Sequence, residues 1–129
     1  MRIVEMFLFS LGLTLAIETA VALIMGVRMP GLKVVWLVNL LTNPAAVCAN
    51  WLLGMWFPVA PLALSEAPLP ANLPIIARQL PIEVLVVLVE AGIYISFSKE
   101  ERWGIRRPVA LAVVANLASY CGGLLMAGR

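Results

Sequence analysis

The stretch Pro81-Ile82-Glu83-Val84-Leu85-Val86-Val87-Leu88-Val89-Glu90-Ala91-Gly92-Ile93-Tyr94 decides the fold, because it is apolar enough to lie in lipid yet carries two carboxylates. A spacing of seven residues is nearly two helical turns, so Glu83 and Glu90 project from one helix face, roughly 10 Å apart along the axis. Tyr94 sits about one turn further along that face. The segment reads as an amphipathic membrane helix whose polar stripe needs partners.

Outward from this stretch, the chain of 129 residues is 63% hydrophobic and 12% charged, with a mean hydropathy of +1.01. That balance excludes an ordinary water-soluble domain. Four apolar stretches, at about 4–27, 34–57, 80–98 and 109–127, are long enough to cross about 30 Å of hydrocarbon at 1.5 Å per residue. Backbone groups in lipid must be bonded internally, so each stretch is expected to be a helix. The expected fold is therefore an all-α membrane protein, a single four-helix transmembrane domain over 1–129 with an external Pro-rich loop at 58–79. Arg2 before an apolar run imitates a signal peptide, but the length of the run and its Glu18 favour a helix of the mature protein.

Arg28, Lys33, Lys99, Arg102, Arg106 and Arg107 fall in the first and third connections, whereas Arg2, Arg78 and Arg129 fall on the other side. The positive-inside rule then places both termini outside, in a membrane of the bacterial cytoplasmic type. No basic and aromatic residues interleave, so no nucleic-acid partner is expected. Cys48 and Cys121 are isolated within helices and the chain has no His, which leaves no metal site, cofactor or disulfide framework to expect.

Helix one aligns Ser10, Thr14 and Glu18 at intervals of four, and helix two presents Asn39, Thr42 and Asn43 beside Pro44. Pro44 cannot donate to the carbonyl of Leu40, which predicts a kink there. Pro30 and Gly31 are expected to end one helix and start the next. In the external loop, the apolar segment Leu73 to Leu80 reads as a linker or a surface-lying segment. Helix four carries Asn116, Ser119 and Tyr120, then Gly122 and Gly123, which permit close helix contact.

The two hairpins resemble each other. The first runs from Glu18 through a basic turn to Asn39-Leu40-Leu41-Thr42, and the second from Glu90 through a basic turn to Asn116-Leu117-Ala118-Ser119. A repeat of this kind would relate the halves by an axis along the membrane normal. Counted from the inner helix ends, Glu18, Asn43, Glu90 and Asn116 all lie roughly 13 Å deep, with Asn39 a turn nearer the inside and Glu83 nearer the outside.

A carboxylate at mid-membrane costs about 2.5 to 3.5 kcal/mol on insertion scales. With no Lys or Arg at that depth, the partners must be carboxamides, hydroxyls, water, a proton or a bound cation. The chemistry expected first is that of a transporter or channel coupled to protons or a small cation. Glu18, Glu90, Glu83, Asn39, Asn43 and Asn116 would bind the ion, supported by Thr14, Thr42, Tyr94, Ser119 and Tyr120. Four helices make a small conduit, so a homodimer in the bilayer fits this reading. An intramembrane enzyme acting on a lipid or polyprenyl head group is the second expectation, with Arg106 and Arg107 on the cytoplasmic rim steering phosphate. The chain lacks His and Asp, a Gly-rich phosphate loop and known hydrolase motifs, so no catalytic residue is assigned. A non-catalytic subunit of a larger membrane complex is the third. The chain is similar to the small multidrug-resistance exporters in length, helix number and a first-helix Glu. It lacks the pattern around that Glu and carries helix-three acids absent there, so the similarity is one of size.

Overall fold

The structure, a computed structural model, describes residues 3–56 and 73–127. It contains four helices, α1 (Ile3–Ile24), α2 (Met29–Trp56), α3 (Leu73–Ser98) and α4 (Pro108–Ala127), each with a span long and apolar enough to cross a membrane. α1 packs against α2 and α4, and α3 packs against the same two helices, so the bundle is a ring in chain order. Large apolar side chains such as Leu37, Leu41, Leu88, Leu117 and Leu125 face outward, while Glu18, Asn39, Glu90 and Asn116 face inward. This inversion of a water-soluble bundle is what a lipid-facing surface requires.

The main packed apolar cluster occupies the half of the bundle nearest the two basic connections, where Ala22, Val35, Val38, Tyr94, Leu111 and Ala112 meet. At its edge Trp36 of α2 donates its indole N–H to the Thr19 hydroxyl of α1 at 2.8 Å. On the opposite side of the bundle α4 and α1 approach closely at Gly122, where a Cβ would come within 2.6 Å of Ile17. The small residue permits that approach, as expected between membrane helices. Gly123 has open space beside it instead.

The first connection is broken by Gly26, at φ 80, and not by Pro30 and Gly31, which fall in the first turn of α2. Val27 N–H then donates to the Ala22 carbonyl at 2.9 Å and Gly26 N–H to the Leu23 carbonyl at 3.0 Å, closing the end of α1 around a left-handed glycine. Proline lacks only an N–H that a first helical turn leaves unused, so Pro30 starts α2 instead of stopping α1. α2 therefore begins at Met29, earlier than the expected 34, because Lys33 had masked its opening turn in the hydropathy.

The third connection repeats the first with a single 3-10 turn, Glu101–Trp103, inserted before it. Gly104 takes φ 68, Ile105 is buried like Val27, Arg106 follows like Arg28, and Pro108 opens α4 as Pro30 opens α2. Gly31 lies so close beneath this insertion that a Cβ would stand 2.1 Å from the Trp103 carbonyl oxygen. A second correspondence, one residue out of register with the first, runs along the helices: Val34, Val35, Val38 and Asn39 are buried in α2, as Leu111, Ala112, Ala115 and Asn116 are in α4.

α3 begins at Leu73, so the segment 73–79, expected in the external loop, is the start of a longer helix. Pro74 falls in its first turn, which tolerates proline. Pro81 sits inside the helix and Pro44 inside α2, and both helices run on through them. The remainder of the expected loop, 58–72, lies outside the described residues, as does residue 57 at the end of the expected second helix.

Candidate functional site

Glu18 and Glu90 are both fully buried, one from each hairpin. Asn39 Nδ2 donates to Glu18 Oε2 and also to the Val35 carbonyl at 3.0 Å. Asn116 Nδ2 donates to Glu90 Oε2 at 2.5 Å and to the Ala112 carbonyl at 2.9 Å. Each amide thus spends one hydrogen on its own helix, four residues back, and one on the acid of its own hairpin. A carboxamide has two N–H hydrogens, so both bonds are made at once.

The hydroxyls cross between hairpins. Thr42 Oγ1 of α2 lies 2.7 Å from Glu90 Oε1 of α3, and Ser119 Oγ of α4 lies 3.5 Å from Glu18 Oε1 of α1. Every oxygen of the two carboxyls therefore faces a donor, and each acid is held by one group from each hairpin. Thr42 Oγ1 is also 3.0 Å from the Val38 carbonyl, and Ser119 Oγ 3.0 Å from the Asn116 carbonyl. A hydroxyl has one hydrogen and two lone pairs, so it donates to only one of its two acceptors at a time. It can donate to a charged carboxylate, or turn to the backbone carbonyl and accept a hydrogen from a protonated acid.

On the side of the acids away from the packed core, the bundle holds a partly open cavity of about 330 Å³ lined by all four helices. Ser10, Asn50, Gln79 and Gly123 lie toward the ends of the helices bearing the chain termini, and Asn43, Glu90 and Asn116 lie at the depth of the acids. Among the described residues no Lys or Arg lines it. Glu18 does not reach this wall. Beyond the acids, toward the basic connections, the apolar core closes the bundle.

The structure brings most of the expected residues together. Thr14, Ser119 and Tyr120 line the cavity alongside Asn43 and Glu83. Asn39, not Asn43, closes the layer with Glu18; Asn43 stands behind it, donating to Asn39 Oδ1 at 3.2 Å. The earlier start of α2 explains this, since counting from Met29 moves Asn39 to the depth assigned to Asn43. Glu83 lies higher in the cavity, where Gln79 of its own helix donates to it at 3.2 Å. Tyr94 is fully buried on the far side of the acids, within the core.

Arg106 and Arg107 lie apart from the acids, on the other side of the core. Arg106 lines a second cavity of about 370 Å³ with Arg28, Ser98, Glu100 and Glu101, and Arg107 is exposed. Two cavity-lining residues absent from the expected set, Asn50 and Gln79, became visible only with the structure. Gln79 falls in the span 58–79 expected as external loop. Arg78 donates to Asn50 Oδ1 at 2.9 Å, and its guanidinium rests against Gly54, where a Cβ would be 2.9 Å away.

Among the described residues no group of three or more His, Cys, Asp or Glu is arranged to hold a metal ion. No protein-family model matches the chain, and neither curated proteins nor solved structures include a match. Fold and site together define a four-span membrane protein with an internal polar network of Glu18, Asn39, Thr42, Glu90 and Asn116.

Proposed function

We propose that the protein is a small proton-coupled carrier in which Glu90 takes up the proton from the cavity and Glu18 shares in holding it. The observation that supports this most strongly is the pairing of each acid with a hydroxyl that has a second acceptor. Thr42 and Ser119 satisfy their acids in either protonation state without moving the helices.

The same surroundings favour a proton over a metal cation. A cation site turns oxygen atoms toward the ion. Here N–H and O–H donors point at the carboxyl oxygens, which suits acids that gain and lose hydrogen.

The cavity ends at the acids and the apolar core lies beyond, so the arrangement suits a carrier open on one side better than a continuous channel. With the basic connections inside, the open side faces outward. A volume of about 330 Å³ is at the small end of ligand pockets, and a lining of carboxyl, amide and hydroxyl groups without a base suits a small neutral or cationic solute. One chain supplies all four cavity walls, so the proposal does not depend on a homodimer.

The test uses proteoliposomes with a trapped pH indicator, challenged with a panel of small amines and polyols. The wild type is expected to move protons when one solute class is added, and Glu90→Gln, reconstituted to the same level, is expected to be silent. Equal proton movement by the two would remove the proposal.

A further inference from the structure

The Tyr94 hydroxyl is fully buried and, among the described residues, has no hydrogen-bond partner. Buried hydroxyls are nearly always bonded, and one left alone costs the folded state its desolvation. Its position makes the exception informative. Tyr94 lies one turn past Glu90 on α3, and helical side chains lean back toward the N-terminus of their helix, here toward the acids. Asn39 and Thr42 of α2 reach one acid each, as Asn116 and Ser119 of α4 do, so Glu18 and Glu90 face each other across the bundle, and Tyr94 shares the packed core with Ala22, one turn past Glu18. No hydrogen bond joins the two acids directly among the described residues, each being turned to its own Asn and the other hairpin's hydroxyl.

The two hairpins differ one turn past their acids. Four residues past Glu90 stands Tyr94, and four residues past Glu18 stands Ala22; both are completely buried. A single tyrosine opposite an alanine reaches across a bundle that two tyrosines would overfill. Ala91, Ala112 and Ala115 are buried too, small residues beside the polar layer of Glu18, Glu90, Asn39, Thr42 and Asn116.

We infer that Tyr94 Oη, Glu18 and Glu90 together hold one water molecule, and that this water is the route by which a proton passes between the acids. Three polar partners are the usual complement of a buried water. The step balances in atoms and charge: the Glu90 carboxyl gives its proton to the water oxygen while the water gives one of its own to the Glu18 carboxylate, and water is restored. Tyr94 is a positioning residue, holding the water without changing its own protonation. Glu18, which does not line the cavity, is thereby reached only through Glu90. The inference rests on the proton reading above.

Infrared difference spectra of the full chain in lipid, recorded on changing pH, test it with wild type and Tyr94→Phe. The wild type should show two carboxyl bands and a water O–H band that shifts in heavy-oxygen water. Tyr94→Phe, which removes one oxygen and keeps the ring, should lose the water band and the Glu18 carboxyl band, keep that of Glu90, and unfold at a lower temperature. Absence of the shifting water band from the wild type would overturn the inference. So would a Tyr94→Phe protein that unfolds at a higher temperature with both carboxyl bands intact, since relief of a dry, unbonded hydroxyl is stabilising. Loss of proton coupling as a whole is read separately, from Glu90→Gln in liposomes.

Discussion

The Thr42 hydroxyl on α2 stands 2.7 Å from Glu90 on α3, a polar side-chain bond that crosses from the first hairpin to the second hairpin's acid. Its counterpart, Ser119 to Glu18, returns the exchange at 3.5 Å. The two hairpins are thus joined at their centre by hydroxyls that reach each other's acids, and the inequality of the distances makes the Thr42 link the stronger.

Thr42→Val keeps the shape of the side chain and removes its oxygen. It should lower stability by about 1 to 3 kcal/mol, the usual range for depriving a buried polar group of its donor. Ser119→Ala should cost less, because its bond is longer. Thermal unfolding in a fixed detergent compares the two, and a larger loss for Ser119→Ala would contradict the geometry.

Asn39→Ala and Asn116→Ala should be equally severe, each removing an acid's amide donor and a bond to the helix four residues back. Asn43→Ala should be milder, since Asn43 bonds to Asn39 and not to an acid. Yield of folded protein and unfolding temperature give the ranking; an Asn43 variant as damaged as the other two would show that the layer extends further than the hydrogen bonds do.

Glu83→Gln should leave stability nearly unchanged, because Glu83 is only partly buried and its partner Gln79 sits on the same helix. Transport should weaken without stopping, as Glu83 stands above the acids in the cavity. The assay is solute-driven proton movement at matched reconstitution, in which Glu83→Gln is expected to fall between the wild type and Glu90→Gln.

Gly31→Ala tests the fold away from the site. A methyl group there meets the backbone oxygen of Trp103 at 2.1 Å, an obstacle no side-chain rotation relieves. A loss of about 1 to 3 kcal/mol is expected, as for other overpacked positions. Gly12 and Gly92 have open space around them, so alanine at either should stabilise its helix by up to about 1 kcal/mol. Unfolding temperatures of the three variants check the contrast.

Hydropathy made the four helices legible, because a bilayer enforces a long apolar run whatever the tertiary packing. It placed helix ends less well, for particular reasons. Lys33 and Pro30 hid the first turn of α2, and Pro74 and Arg78 hid the first turns of α3, although a helix start accommodates proline and a polar end belongs at the membrane surface. Those few residues determined the depth count, and so exchanged Asn39 for Asn43. The acids themselves were legible because carboxylates inside apolar helices are costly. The exchange of hydroxyls between hairpins was not, since it depends on which helices are neighbours around the ring. The matching Gly26-Val27-Arg28 and Gly104-Ile105-Arg106 segments were present in the sequence, but the inserted turn Glu101–Trp103 displaced one from the register of the other.

The central claim, that the two buried acids are a proton-binding pair and not fixed struts, is tested most directly by the carboxyl region of pH-induced infrared difference spectra in lipid. For the wild type, protonated-carboxyl bands with the frequency of groups sheltered from water should appear and vanish reversibly with pH, and Glu90→Gln should remove one of them while the protein stays folded. Spectra in which no sheltered carboxyl changes with pH, or in which wild type and Glu90→Gln are identical, would contradict the account.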